Sequence, residues 1–294
     1  MAAPIKSLTA LPPLVTLGNT FCGLLGVTYV VAAVELHGEI GILDEQLLAA
    51  TDADVRAGLS ERIETLRLGW YGYFVKAVWA QLAAAFFDFL DGKVARLTKS
   101  ESEFGIQMDS LSDALSFGLL PALMFNVLFQ REFGASGKLA LIIAAFYLFG
   151  AVLRLARFNV EATGTDGADD DHRAFRGLPS PSAAAGVAAI VYLYCERGFP
   201  EFDYVIGVVF PWMAAIFGFL MWTKLPYLHF INLVLTERRN FAHLFLVLVA
   251  IFAIVYEPPL GISVLMGGYA LSGPVTYVYN LFRGRSTVDG ESLI

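Results

Sequence analysis

Residues 88–113 read Asp88-Phe-Leu-Asp91-Gly92-Lys-Val-Ala95-Arg96, then eight further residues, then Gly105-Ile-Gln-Met-Asp109-Ser-Leu-Ser-Asp113. They stand between two apolar runs, each long enough to cross a bilayer. On a helix, Asp88 and Asp91 would lie about 60° apart, and Asp109 and Asp113 about 40° apart. The pattern therefore predicts two neighbouring helices that bring four carboxylates to one point beside a membrane.

Four acids close together repel one another unless cations lie between them. Carboxylates in or near hydrocarbon are costly without a partner, so such a group indicates a functional site. Hard oxygen ligands suit Mg²⁺ or a similar divalent cation. The predicted metal ligands are Asp88, Asp91, Asp109 and Asp113.

The composition indicates a membrane protein. Of the 294 residues 57% are hydrophobic and 16% are charged, and the mean hydropathy is +0.63. A soluble domain carries about 25% charged residues. The net charge of −7 and the lack of a basic stripe argue against a nucleic-acid partner.

Apolar stretches predict an all-α fold, a polytopic transmembrane helical bundle of about eight spans. We expect a membrane domain that contains the four aspartates over 1–200, additional helices of the same bundle over 201–285, and a flexible tail over 286–294. The candidate stretches are 14–34, 70–96, 109–130, 138–160, 181–196, 203–223, 240–256 and 260–282. An amphipathic stretch around 43–66 is expected to form a surface helix.

Lys and Arg concentrate in alternate loops, which predicts the orientation of the chain. A cytoplasmic N-terminus places most basic residues on the cytoplasmic side. The same assignment puts the aspartates at the cytoplasmic face of an integral, multi-pass membrane protein.

The spacing Asp-x2-Asp-Gly-x2-Ala-Arg-x8-Gly-x3-Asp-x3-Asp resembles the signature of the CDP-alcohol phosphotransferase family. These membrane enzymes move a phosphatidyl or similar group from a CDP-linked donor to an alcohol. Residues 13–23, 154–159 and 175–181 are similar to motifs of the bacterial and archaeal members that act on serine. Pro13 departs from the pattern, since many relatives carry Asn there. The resemblance covers about residues 12–196.

The resemblance implies that the membrane domain over 1–200 is catalytic, with a six-helix core, in a homodimer of a prokaryotic cytoplasmic membrane. It implies that CDP-diacylglycerol and L-serine are substrates, and that phosphatidylserine and CMP are products. Asp113 would be the general base, and two Mg²⁺ or Mn²⁺ ions would be the cofactors.

The family likeness also assigns binding residues around the acids. Donor or nucleotide binding is expected at Asp88, Gly92, Ala95, Arg96 and Gly105. Small residues there would leave room for the nucleotide. Arginine forks suit carboxylates and phosphates. The candidates for the acceptor or a lipid phosphate are Arg154, Arg157, Asn159, Gly177, Pro179 and Ser180.

Other interpretations remain open at this point. The acceptor alcohol could be glycerol 3-phosphate, an inositol phosphate or choline. A divalent-cation transporter would also need acids in the membrane, although along a path rather than at one face. Gly92 and Gly105 could be glycines that allow helices to pack closely. Arg154 and Arg157 could be anchors at the membrane surface. Pro181 could simply mark the start of a helix.

Overall fold

A computed structural model of the chain describes residues 11–98, 102–131, 134, 136–163, 175–197, 203–223, 225–227 and 241–282. Nearly all of these residues are helical, which confirms the predicted all-α class. The helices are α1 (Leu11–Ala49), α2 (Ala53–Thr98), α3 (Glu103–Asp113), α4 (Leu120–Arg131), α5 (Gly137–Thr163), α6 (Ser180–Arg197), α7 (Asp203–Trp222), α8 (Phe241–Tyr256) and α9 (Pro258–Phe282). A π-helical segment, Ala114–Leu119, joins α3 to α4 without a break.

Four helical segments are long and apolar enough to cross a membrane: Pro13–Ala49, Ala53–Val94, Glu103–Arg131 and Gly137–Val160. A shorter apolar helix covers Val209–Trp222. Large apolar side chains on these helices point outwards, as lipid-facing residues do; Phe21 is 64% exposed and Phe149 62%. The chain is therefore an all-α polytopic membrane protein.

Helices α1 and α2 form a hairpin that is longer than the predicted spans. With 39 and 46 residues, they are about 58 Å and 69 Å long at about 1.5 Å per residue. Hydrocarbon is only about 30 Å thick. The stretch 43–66 is therefore not a separate surface helix, because it is the end of α1 and the start of α2, packed together through buried Leu43 and Ile63.

The core of the bundle is formed by buried side chains of α1, α2, α4, α5, α6, α7 and α9. Its largest fully buried side chains include Phe74, Phe125 and Tyr147. Helices α5 and α7 approach closely, since a Cβ atom on Gly150 would lie 2.9 Å from the carbonyl carbon of Gly218. This contact fixes the middle of α5 against the last turns of α7.

Two short strands pair with each other, one directly before α6 and the other after α7. Strands β1 (Phe175–Arg176) and β2 (Pro226–Tyr227) pair in antiparallel register, with Phe175 opposite Tyr227. The Leu178 N–H also donates to the Leu220 carbonyl at 3.1 Å. The start of α6 is thereby held against the end of α7.

Candidate active site

Three of the four predicted acids lie together. Asp88 comes from the last part of α2, and Asp109 and Asp113 lie one turn apart on α3. One carboxylate oxygen of each lies within 4.8 Å of the others. Asp113 is buried and the other two are half-buried. We call these three residues the acid trio.

Asp91 is not part of the acid trio, and the convergence of all four acids on one point stays a prediction. Its buried carboxylate accepts a hydrogen bond from the Thr16 hydroxyl on α1. The physical reason lies in the helical spacing. Because Asp88 and Asp91 differ by about 60° around α2, the Asp91 carboxylate reaches Thr16 on α1.

Asn19 on α1 contacts the acid trio directly. Its side chain is fully buried, and its Nδ2 donates to Asp113 Oδ1 at 3.1 Å. Its Oδ1 is buried and has no hydrogen-bond donor among the residues that the structure describes. Asn19 therefore fixes one oxygen of Asp113.

A row of hydroxyl groups attaches α1 to α3. Thr20 donates to the Ser112 hydroxyl at 2.9 Å, Ser112 donates to the Thr16 carbonyl at 3.3 Å, and Ser116 donates to the Asn19 carbonyl at 3.2 Å. These residues were not predicted as part of the site. The available signal was their spacing: polar residues recur every three or four positions on otherwise apolar helices, which puts them on one face.

The π-helical segment begins directly after Asp113. Such segments interrupt α-helices and are frequent at functional sites. The segment is held by the buried Tyr147 hydroxyl, which donates to the Phe117 carbonyl at 3.1 Å. This bond links the π-helical segment that follows Asp113 to α5.

The other predicted donor-binding residues lie near the acid trio in the chain. Gly92, Ala95 and Arg96 follow Asp88 on α2, and Gly105 precedes Asp109 on α3. Gly92 is exposed, so its surface is open to a ligand. The side chains of Ala95 and Arg96 lie outside the described residues. The Gly105 N–H donates to the Ser102 hydroxyl at 3.0 Å, which makes Gly105 part of the N-terminal cap of α3.

Arg154 on α5 is a buried cation beside the acid trio. Its Nη1 donates to the Ser180 hydroxyl at 2.5 Å, and its charge interacts with those of Asp113 and Asp88. No carboxylate in the described part of the chain pairs with it within 4.0 Å, and its buried Nε has no acceptor there. A buried arginine is costly without an anion, so this arrangement suits an anionic ligand.

Arg157 and Asn159 extend the same end of α5. The Arg157 Nη2 donates to the Trp222 carbonyl at 2.9 Å, and its buried Nη1 has no acceptor among the described residues. Asn159 accepts from the Ser110 hydroxyl at 2.8 Å and donates to the Gln107 Oε1 at 3.3 Å. Asn159 therefore joins α5 to the outer face of α3, beside Asp109.

Gly177, Pro179 and Ser180 belong to the turn that opens α6. We call residues 177–180 the acceptor loop, because the acceptor alcohol is expected to bind there. Gly177 has a φ of +88°, a conformation that favours glycine. Ser180 is fully buried against Arg154. The acceptor loop and the acid trio thus lie on either side of the same arginine.

Residues 63–220 match the family of CDP-alcohol phosphatidyltransferases. The chain belongs to this family. Among CDP-alcohol phosphatidyltransferases, it is 34% identical over 210 residues to the CDP-diacylglycerol–serine O-phosphatidyltransferase of Helicobacter pylori strain J99, covering 71% of this chain and 83% of the relative. A Methanocaldococcus jannaschii enzyme of the same name is 31% identical over 192 residues, covering 65% and 79%. The Saccharomyces cerevisiae enzyme of that name is 37% identical over 134 residues, covering 45% and 46%.

CDP-alcohol phosphatidyltransferases generally depend on a divalent metal ion, and the acid trio fits such an ion. Its donors are three hard carboxylate oxygens that come within 4.8 Å of one another. This donor set is typical of Mg²⁺ and Mn²⁺ sites.

Proposed function

We propose that the chain transfers the phosphatidyl group of CDP-diacylglycerol to the hydroxyl of L-serine, which gives phosphatidylserine and CMP. The observation that carries this proposal is the acid trio beside Arg154, a buried cation that has no carboxylate within 4.0 Å in the described part of the chain. The Helicobacter pylori and Methanocaldococcus jannaschii enzymes, of which the match covers 83% and 79%, support serine as the acceptor.

Asp88, Asp109 and Asp113 would hold the divalent cation. When bound, such an ion neutralises the pyrophosphate of the donor and the charge that develops in the transition state. Asp91 as a fourth ligand stays a prediction, because its carboxylate would have to leave Thr16. The number of ions, two by resemblance, and the choice between Mg²⁺ and Mn²⁺ also stay predictions.

Asp113 would act as the general base. Asn19 holds its Oδ1, and this leaves Oδ2 for the proton of the serine hydroxyl. As that proton moves to Asp113, the serine oxygen forms a bond to the phosphatidyl phosphorus. The bond from this phosphorus to the bridging oxygen of the pyrophosphate breaks, and CMP leaves with the electron pair.

The acceptor would lie between Arg154 and the acceptor loop. A guanidinium group binds a carboxylate through two parallel N–H donors, and Arg154 has a buried Nε without an acceptor in the described structure. We infer that Arg154 binds the serine carboxylate. Arg157, Asn159 and Ser180 would shape the same end of the site.

The donor would approach from the exposed side of α2. Gly92 has no side chain there, so the nucleotide could contact the helix backbone. Ala95, Arg96 and Gly105 stay predicted donor residues. We further propose that the N-terminus and the site face the cytoplasm of a prokaryotic membrane, and the homodimer stays a prediction.

The test is an acceptor comparison with purified protein, CDP-diacylglycerol and Mg²⁺ or Mn²⁺. CMP release is expected with serine, in amounts equal to the phosphatidylserine formed. The control variant Asp109→Asn should release little CMP. Release that requires glycerol 3-phosphate, an inositol phosphate or choline would overturn the choice of serine. No release with any of these alcohols, together with metal-ion uptake into vesicles, would favour the transporter instead.

A further inference from the structure

The acceptor loop is held by a segment that lies outside the family match, which ends at residue 220. Strand β2 pairs with β1 directly before the loop, and the Gly177 N–H donates to the Leu225 carbonyl at 2.8 Å. The backbone of residues 225–227 therefore forms one wall of the acceptor loop.

Tyr227 attaches this wall to α9. Its side chain is buried, and its hydroxyl donates to the Ala270 carbonyl at 2.9 Å. Its ring lies 5.7 Å from that of Tyr269, centroid to centroid. A Cβ atom on Gly273 would lie 2.7 Å from Tyr227 Cε2, so Gly273 leaves the space that the ring fills. Three residues of α9 thus fix one tyrosine.

The other end of the loop is fixed by α5. Ser180 is fully buried, and its hydroxyl accepts a hydrogen bond from Arg154 Nη1 at 2.5 Å. Gly177 is thus attached to the segment that Tyr227 anchors on α9, and Ser180 is attached to α5.

We propose that Tyr227 is a positioning residue for the acceptor alcohol, because it fixes the acceptor loop to α9. This inference rests on the proposed function, in which the loop and Arg154 bind serine. It gives a role in acceptor specificity to a helix beyond the family-matching region, while the donor and the acid trio are left to α2 and α3.

The variants Tyr227→Phe and Gly273→Ala test this role. Tyr227→Phe removes one neutral hydrogen bond, so the KM for serine is expected to rise about 2- to 10-fold. Gly273→Ala displaces the ring and should raise this KM further. The kcat and the KM for CDP-diacylglycerol should stay close to the wild-type values. The matched control is Gly268→Ala on the same helix, because a Cβ atom there has nothing within 4 Å.

Amide hydrogen exchange gives a readout that does not depend on activity. The amides of Gly177 and Leu178 donate to the carbonyls of Leu225 and Leu220. Their exchange rates should be higher in Tyr227→Phe than in the wild-type protein, and they should be unchanged in Gly268→Ala. Unchanged exchange in Tyr227→Phe would overturn the proposal. Equal losses for both substrates would also overturn it, since they would indicate a general structural defect.

The outcome can be separated from that of the proposed function. A wild-type protein that uses another alcohol would refute serine as the acceptor. The positioning role would then be read from the KM of that alcohol, with the same expected rise in Tyr227→Phe.

Discussion

Replacing Gly177 by alanine tests the geometry of the acceptor loop. The φ of +88° costs an alanine about 1–2 kcal/mol. The added Cβ atom would also lie 2.6 Å from the Thr223 carbonyl oxygen and 3.0 Å from that of Met221. Both are backbone atoms that cannot rotate away, so overpacking adds about 1–3 kcal/mol. The expected loss in the free energy of unfolding is about 2–5 kcal/mol.

Two glycine controls separate strain from collision. Gly134 also has a positive φ, +61°, but a Cβ atom there has nothing within 4 Å, so alanine should cost only about 1–2 kcal/mol. Gly38 lies in α1 with nothing within 4 Å of its Cβ position. Alanine there should not destabilise, because it favours the helix by about 1 kcal/mol.

The assay is reversible unfolding of the purified protein by SDS in mixed micelles, followed by the serine KM of each variant. Gly177→Ala should lose the most stability and should also raise the KM for serine. Equal stability losses for Gly177→Ala and Gly134→Ala would show that the contacts with the end of α7 are absent. An unchanged serine KM in a destabilised Gly177→Ala variant would remove the loop from the acceptor site.

Further substitutions test the individual roles. Asp113→Asn should lower kcat about 10²- to 10⁴-fold, because the general base is lost, while binding of CDP-diacylglycerol is retained; an active variant would remove Asp113 from that role. Asp91→Ala should reduce the rise in melting temperature that Mg²⁺ or Mn²⁺ produces, since a bound ligand stabilises by mass action. An equal rise in the variant would leave Asp91 only as the partner of Thr16. Gly92→Leu should block binding of a CDP-lipid measured by titration, whereas retained affinity would make Gly92 a packing residue.

The fold class could be predicted because bilayer thickness imposes long apolar runs on the sequence. Each of the eight predicted stretches overlaps a described helix, and four of the described segments are long and apolar enough to cross a membrane. The ends of α1 and α2 could not be placed in this way. Beyond the hydrocarbon the helices continue through contacts between side chains, including the ion pair of Arg62 with Glu39 at 3.1 Å. A hydropathy window does not detect such contacts.

The spacing of the aspartates predicted that acids from α2 and α3 lie together, but it did not predict which three of the four do so. Helical periodicity places Asp109 and Asp113 on one face, but the choice between Asp88 and Asp91 depends on how α1 packs against α2. The hydroxyl of Thr16 is what distinguishes Asp91. Likewise, the contact of Asn19 with Asp113 joins residues 94 positions apart, which no local pattern specifies.

The acceptor loop shows the same limit. The turn before α6 was recognisable from Gly177 and Pro179, whereas its attachment to β2 and α9 requires tertiary contacts. Tyr227 lies in no motif, and its contacts with Ala270, Tyr269 and Gly273 of α9 are tertiary contacts that the sequence does not show.

Locating Mn²⁺ by anomalous scattering, in crystals grown with Mn²⁺ and a CDP-lipid, tests the metal site most directly. We expect a peak in contact with carboxylate oxygens of Asp88, Asp109 and Asp113, next to the pyrophosphate of the lipid. A peak elsewhere, with these three carboxylates bound to no ion, would contradict the proposed chemistry.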